Sequence, residues 1–378
     1  MPQPTNQPTN PPTHQPNQPT NQPTNQPTMI MFNDPTTKRS DRVMAFWLML
    51  TLAAAFLLFF SGRFHSIDEV SSVALADTIL TQGQAHTDQI TWSQNWPLPQ
   101  GTYGRDGVLY SKKGIGWSVL IAPLQLLAHW LPGVGVVGMA MLTNWWITTL
   151  TGGVLYLLVR RLGYRQSSGI FVTLAWAFGT LALVYSKTLF NSTFGALVLV
   201  AVTLLLLARS NDFSRSGSPR TTEVVTTSLS SLYLLLAGAL LGWLLLTRPE
   251  NALTVPVFAA FLFFTSAGSI RQRLLRVVVF GVPITLAVGF IFGFNWFRFG
   301  SPLDFGYDMS EESGGNAAIG LMGLLFSPGR SLFVYMPLLL PAFWGLTHLL
   351  RAERPHPHQE RESGRVGEWE SGRVGEWE

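Results

Sequence analysis

Apolar positions come in long unbroken runs, without the period of two of a half-buried strand or the narrow stripe of a soluble helix. Apolar runs lie at 43–61, 134–159, 169–185, 192–208, 231–247, 252–267, 277–297 and 331–350, and the longest connections between them are 62–133 and 298–330. Each approaches the roughly 20 apolar residues needed to cross a bilayer. The pattern predicts an all-α, multi-pass helical bundle of about eight spans. None of the eight contains Asp, Glu, Lys or Arg. A ninth apolar segment, 116–131, is shorter and carries Pro123 and His129.

Charge fixes the expected orientation, because cytoplasmic loops carry the excess of Lys and Arg. Lys38, Arg39 and Arg42 place the start of the first span inside. If 116–131 does not cross, Arg160, Arg161 and Arg165, then Arg209, Arg215 and Arg220, then Arg271, Arg273 and Arg276, then Arg351 and Arg354 fall on that same side. If it crosses, all of them fall outside. The segment is therefore expected to be a non-spanning helix on the outer membrane surface. Both termini are then cytoplasmic, and the outer loops are 62–133 and 298–330. Arg63, Arg105, Lys112, Lys113, Lys187, Arg248, Arg298 and Arg330 lie outside, against the bias, beside Asp68, Glu69, Asp106, Glu250, Asp304 and Asp308.

Composition agrees. Of 378 residues, 47% are hydrophobic and 12% charged, about half the charged share of a soluble protein. The chain has no cysteine, which excludes disulfides, thiolate nucleophiles and cysteine-based metal centres. The net charge of +4 is scattered over short loops, so no nucleic-acid partner is expected. Two ends stand apart. Residues 1–42 begin with Asn-Gln-Pro-Thr repeats and are expected to be a disordered cytoplasmic arm. Residues 351–378 end in a duplicated octapeptide, 363–370 and 371–378, and are expected to be a disordered tail. Residues 43–350 make up the membrane domain.

Transport paths are usually marked by ionisable groups at mid-membrane. Here the polar chemistry lies at the outer interface, which favours work on a lipid headgroup. The acidic pair Asp68-Glu69 follows the first span by a few residues, in a stretch up to Asp77 that can form an amphipathic helix at the membrane surface. Tyr110-Ser111-Lys112-Lys113 precedes the non-spanning helix. Further on come Val159-Arg160-Arg161-Leu162-Gly163-Tyr164-Arg165, Tyr185 to Asn191, Thr247-Arg248-Pro249-Glu250, Asn295-Trp296-Phe297-Arg298-Phe299-Gly300-Ser301-Pro302 and Ser327-Pro328-Gly329-Arg330.

In this order, over about 43–350, the chain resembles the GT-C superfamily of polytopic glycosyltransferases. Within it, the chain resembles the bacterial group that is dolichyl-phosphate-mannose-protein mannosyltransferase-like. The resemblance implies a donor in which a sugar is joined to a polyprenyl phosphate, and transfer to an acceptor hydroxyl on the outer face of the plasma membrane with inversion. The leaving group is already a stabilised phosphate, so two things are required: a base for the acceptor hydroxyl and cations for the departing phosphate. Asp68 is the expected base, with Glu69 as positioning partner or alternate base. Lys112, Arg248, Arg330 and Tyr110 are the expected binders of the lipid phosphate. No cofactor is required, no residue spacing indicates a metal site, and a divalent metal is known only in relatives.

Plainer roles stand beside these. Arg248 also suits the C-terminal end of a helix. Arg330 also suits the start of the last span. Lys113 and Arg63 are expected to snorkel to lipid headgroups, and Tyr307 and Trp296 to sit in the interfacial aromatic belt. Relatives continue into further spans, so an inactive truncated family member is one alternative, and a transporter or flippase of a lipid-linked sugar is another. The sugar and the acceptor stay open.

Overall fold

The computed structural model describes residues 35–95, 99–214, 221–307, 315–329 and 331–352. Most of the expected arm, 1–34, and most of the tail, 353–378, lie outside that set. The elements are α1 (Pro35–Leu57), α2 (Ile67–Gln82), β1 (Gly101–Tyr103), β2 (Leu109–Ser111), α3 (Ile115–Trp130), α4 (Val136–Arg161), α5 (Gln166–Gly179) and α6 (Ala182–Tyr185). They continue with α7 (Ser192–Ser214), α8 (Thr221–Thr247), α9 (Thr254–Thr265), α10 (Ile270–Phe299), α11 (Ala317–Phe326), α12 (Leu332–Tyr335) and α13 (Leu339–Ala352). Among the described residues the fold is helical apart from one antiparallel hairpin, in which Thr102 faces Tyr110.

Among the described residues, four helices are long and apolar enough to cross a membrane: Lys38–Leu57, Val136–Arg161, Ser192–Arg209 and Ile270–Phe299. The other expected spans are shorter or interrupted. Ser231–Thr247 and Pro249–Thr265 are apolar but shorter. The run at 169–185 breaks between α5 and α6, and that at 331–350 breaks at Met336, just before Pro337, which has no N–H to continue a helix. The two breaks face each other: a Cβ on Gly179 would lie 2.6 Å from Leu338 Cδ1. At the other extreme α1 begins at Pro35, so 35–42 is helix and not part of a disordered arm.

α8 packs against α7 and α10, and α4 against α1 and α7. Trp117, Met141, Val198, Leu241 and Phe280 are buried in one shared core. Contact between α8 and α10 is close enough that Gly238, set against the Phe280 carbonyl, leaves no space for a Cβ. Glycine here allows the two backbones to meet, as is common between membrane helices.

Charged groups sort to two ends of this bundle. At one end Arg160 Nε binds Asp41 at 2.7 Å, Arg161 donates to the Ala208 carbonyl at 2.9 Å, and Arg209 donates to Ser266 Oγ at 2.8 Å. These bonds gather the start of α1 and the ends of α4, α7 and α9. Asp68, Lys112, Lys113, Arg248, Arg298 and Asp304 gather at the other end, around a single cavity. Arg160, Arg161 and Arg209, which the sequence groups on one side, thus fall at one end of the described bundle.

Candidate active site

The cavity is built where α2, the hairpin, the α6–α7 connection, α8 and α10 converge. α2 starts at a capping box: the Ser66 side chain accepts from the backbone ahead of it while Glu69 reaches back. The helix is buried on more than one face and is not a simple amphipathic strip. Ser71, Ser72, Val73, Ala74, Leu75 and Ala76 are all buried, since α2 packs against α3 and the hairpin. Its serines are satisfied internally: Ser71 Oγ lies 2.9 Å from Ser111 Oγ, and the Ser72 carbonyl accepts from Ser118 Oγ. That packing aims the first turn of α2, with Asp68, at the cavity.

Asp68 lines the cavity with its side chain 38% exposed, and Lys113 Nζ lies 3.2 Å from Asp68 Oδ2. Lys113 is therefore a partner of the acid and not a lipid anchor. Glu69, one residue on, is 1% exposed and absent from the cavity wall. Its Oε2 accepts from the amides of His65 (2.6 Å) and Ser66 (3.3 Å), and its Oε1 from the amide of Leu189 (2.8 Å). With both oxygens engaged by backbone, Glu69 is placed to hold structure, and the alternate-base role does not fit. It fixes the 186–191 connection, whose Thr188 and Phe190 carbonyls also receive Asn144 Nδ2 and whose Leu189 carbonyl receives Trp117 Nε1.

β2 delivers the lysines. Gly114 and Gly116 then pass so close to the Leu246 and Thr247 backbone that a Cβ at Gly114 would overlap the Leu246 carbonyl. The contact sets Lys112 and Lys113 beside Arg248, where α8 ends. Lys112 Nζ lies 5.8 Å from the centre of the Tyr307 ring, so Tyr307 belongs to the cavity wall and not only to an interfacial belt. Arg248 is half exposed and its Nε lies 3.7 Å from Glu250 Oε2.

Tyr110 is not on the wall. Its hydroxyl donates to Asp106 Oδ2 at 2.8 Å, and its ring meets the edges of Phe297 and Phe299. Burial, and then the bond to Asp106, pushes the hydroxyl up to about 12. Tyr110 therefore anchors the hairpin as a neutral group and does not reach a ligand in this cavity. Arg330 lies outside the described residues. No group of three His, Cys, Asp or Glu that could hold a metal ion gathers among the described residues.

The cavity encloses about 1100 Å³. Its charged rim meets an apolar side formed by Leu245 and Leu246 of α8 and Phe290, Ile291 and Phe294 of α10, with Phe290 half exposed on the outside of the bundle. A ligand with an anionic head and a hydrocarbon tail matches that division. The chain is similar to an archaeal oligosaccharyltransferase. The apo enzyme of Archaeoglobus fulgidus superposes with a TM-score of 0.47 at 16% identity, over 90% of this chain and 39% of that one. The same enzyme in complex with an inhibitory peptide and a dolichol-phosphate gives 0.48 at 15% identity, over 82% and 37%. This chain thus spans less than two fifths of the length of those chains. No family model and no curated protein matches it.

Among the charged wall residues, Asp304 and Arg298 have no chemical role in the sequence reading, and Lys113 is expected there only at lipid headgroups. Asp304 Oδ1 accepts from the Gly306 amide at 2.8 Å and so turns the loop that carries Tyr307. Arg298 is the most deeply buried cation of the wall, 7% exposed. Its signal was present in the sequence as an arginine directly after a long uncharged span.

Proposed function

We propose that this chain is a membrane glycosyltransferase that moves a sugar from a polyprenyl phosphate to an acceptor hydroxyl, and that the reaction takes place in this cavity on the outer face of the plasma membrane. The observation carrying the reading is that Asp68, an accessible carboxylate, shares one cavity with Lys112, Lys113, Arg248 and Arg298 and with an apolar side whose Phe290 is half exposed. The order of motifs shared with GT-C enzymes supports it independently.

In this reading Asp68 accepts the proton of the acceptor hydroxyl as its oxygen bonds to the anomeric carbon. The carbon–oxygen bond to phosphate breaks, and the phosphate leaves with the electron pair. Attack opposite the leaving group inverts the anomeric centre. Lys112 and Arg248, with Arg330 from outside the described residues, offset the charge on the phosphate. The prenyl chain lies along α8 and α10.

The test is a transfer assay with the full chain in lipid vesicles, a radiolabelled polyprenyl-phosphate sugar, and envelope extract as acceptor. Labelled product of inverted configuration is expected. Movement of labelled lipid across the bilayer without transfer would replace the proposal with a flippase. The orientation has its own check, made simple by the absence of native cysteine. Lys112→Cys should react with a membrane-impermeant maleimide on intact cells, and Tyr164→Cys only after lysis. The reverse pattern would place the cavity inside.

A further inference from the structure

Four cations line the cavity, and the described residues place two of them in ion pairs: Lys113 with Asp68 and Arg248 with Glu250. Arg298 differs from those two. It sits in the last turn of α10, 93% removed from solvent by its 7% exposure, and forms no ion pair among the described residues. Nη1 donates to the Ser111 carbonyl at 2.9 Å and Nη2 to Asn295 Oδ1 at 2.6 Å. The guanidinium lies over the rings of Phe294 (4.2 Å) and Phe299 (4.7 Å). The Nε–H is buried with no hydrogen-bond partner.

Neutral carbonyls, ring faces and the charge of Asp304, which acts on Arg298 from the same wall without an ion pair between them, offset only part of the cost of burying a full positive charge. A chain optimised for stability alone would gain by replacing such a residue with an apolar one. Its retention on a cavity wall is explained if an anion completes it. The surroundings are also rigid. Asn295, 1% exposed, accepts from Arg298 and donates through Nδ2 to the Pro302 carbonyl at 3.1 Å, so the guanidinium is tied to the loop that brings Asp304 and Tyr307 to the wall. The hairpin is tied to the same point, because the Arg298 carbonyl accepts from the Arg105 amide at 3.0 Å. A planar donor held from behind by two acceptors is preorganised for a tetrahedral oxyanion.

We propose that Arg298 is the principal anchor for the phosphate of the lipid-linked substrate, with Asn295 as the residue that positions it. Arg248, half exposed and partnered by Glu250, is then an accessory at the rim. The assignment rests on the proposed transfer reaction, and it ranks the cations within that site.

The experiment measures binding of farnesyl phosphate to the full chain in detergent, by thermal unfolding with increasing ligand. The wild-type chain should be stabilised in a saturable way. Arg298→Met, which keeps length without charge, should keep or raise the ligand-free midpoint and weaken binding by about 30-fold or more. Arg298→Lys, which keeps charge without the planar fork, should fold and bind about 10-fold more weakly. Arg248→Gln should weaken binding by about threefold, less than either Arg298 variant, as loss of an accessory rim charge does. Unchanged affinity in Arg298→Met, or in Arg298→Lys should Met not fold, overturns the assignment and leaves the proposed reaction standing. Failure of the wild-type chain to bind any farnesyl phosphate overturns both. Inorganic phosphate should displace farnesyl phosphate only at much higher concentration, and equal potency would make this a free-phosphate site instead.

Discussion

Asp68→Asn is expected to abolish sugar transfer while leaving the protein folded. The substitution keeps size and shape and removes only the ability to take a proton. A positioned general base typically contributes a factor of about 10² to 10⁴, so turnover should fall by at least about 100-fold. The fold should hardly notice. The side chain is partly exposed, and its ion-pair partner is Lys113 at 3.2 Å. Exposed pairs of this kind contribute about 0 to 1 kcal/mol. A thermal midpoint within a few degrees of the wild type, together with lost turnover, is the expected pair of results. Turnover within a few-fold of the wild type would remove Asp68 as the base.

Its neighbour should behave in the opposite way. Glu69→Ala deletes the acceptor of three backbone amides, those of His65, Ser66 and Leu189, at a carboxylate that is 1% exposed. An orphaned buried donor costs about 1–3 kcal/mol, and here three amides lose their acceptor at once. Total stabilities are commonly about 5–15 kcal/mol, so the variant should lose much or most of its folded population. Membrane yield and monodispersity in size-exclusion chromatography measure this directly. Glu69→Gln, which retains one acceptor oxygen, should fall between. A well-folded but inactive Glu69→Ala would contradict this division of labour and return the base to Glu69.

Two adjacent carboxylates with separate fates show what sequence can and cannot convey. Helical spans, the polar break before α3 and the sorting of arginines by end are written in patterns that need no tertiary information. The Ser66-x-x-Glu69 spacing is itself a capping signal, and read as such it separates Glu69 from Asp68 before any fold is known. Its third bond, to Leu189, depends on a contact 120 positions away in the chain and is invisible in sequence. Tyr110 illustrates the same limit. It stands two residues before Lys112, but β2 ends at Ser111, and Tyr110 is held by Phe297, Phe299 and Asp106 away from the cavity. The pairing of Lys113 with Asp68 and the burial of Arg298 likewise arise only where the hairpin, α2 and α10 meet. Hydropathy does not show the break at Gly179 or the one before Pro337, because each lies inside an apolar run.

The most direct measurement is an experimental structure of the chain with a polyprenyl phosphonate sugar, in which a carbon bridge prevents departure of the phosphate. The phosphonate should rest against Arg298 and Lys112, with the anomeric carbon turned toward Asp68 and the prenyl chain along Phe290 and Leu246. A phosphonate bound at the opposite end of the bundle, near Arg161 and Arg209, would contradict the account.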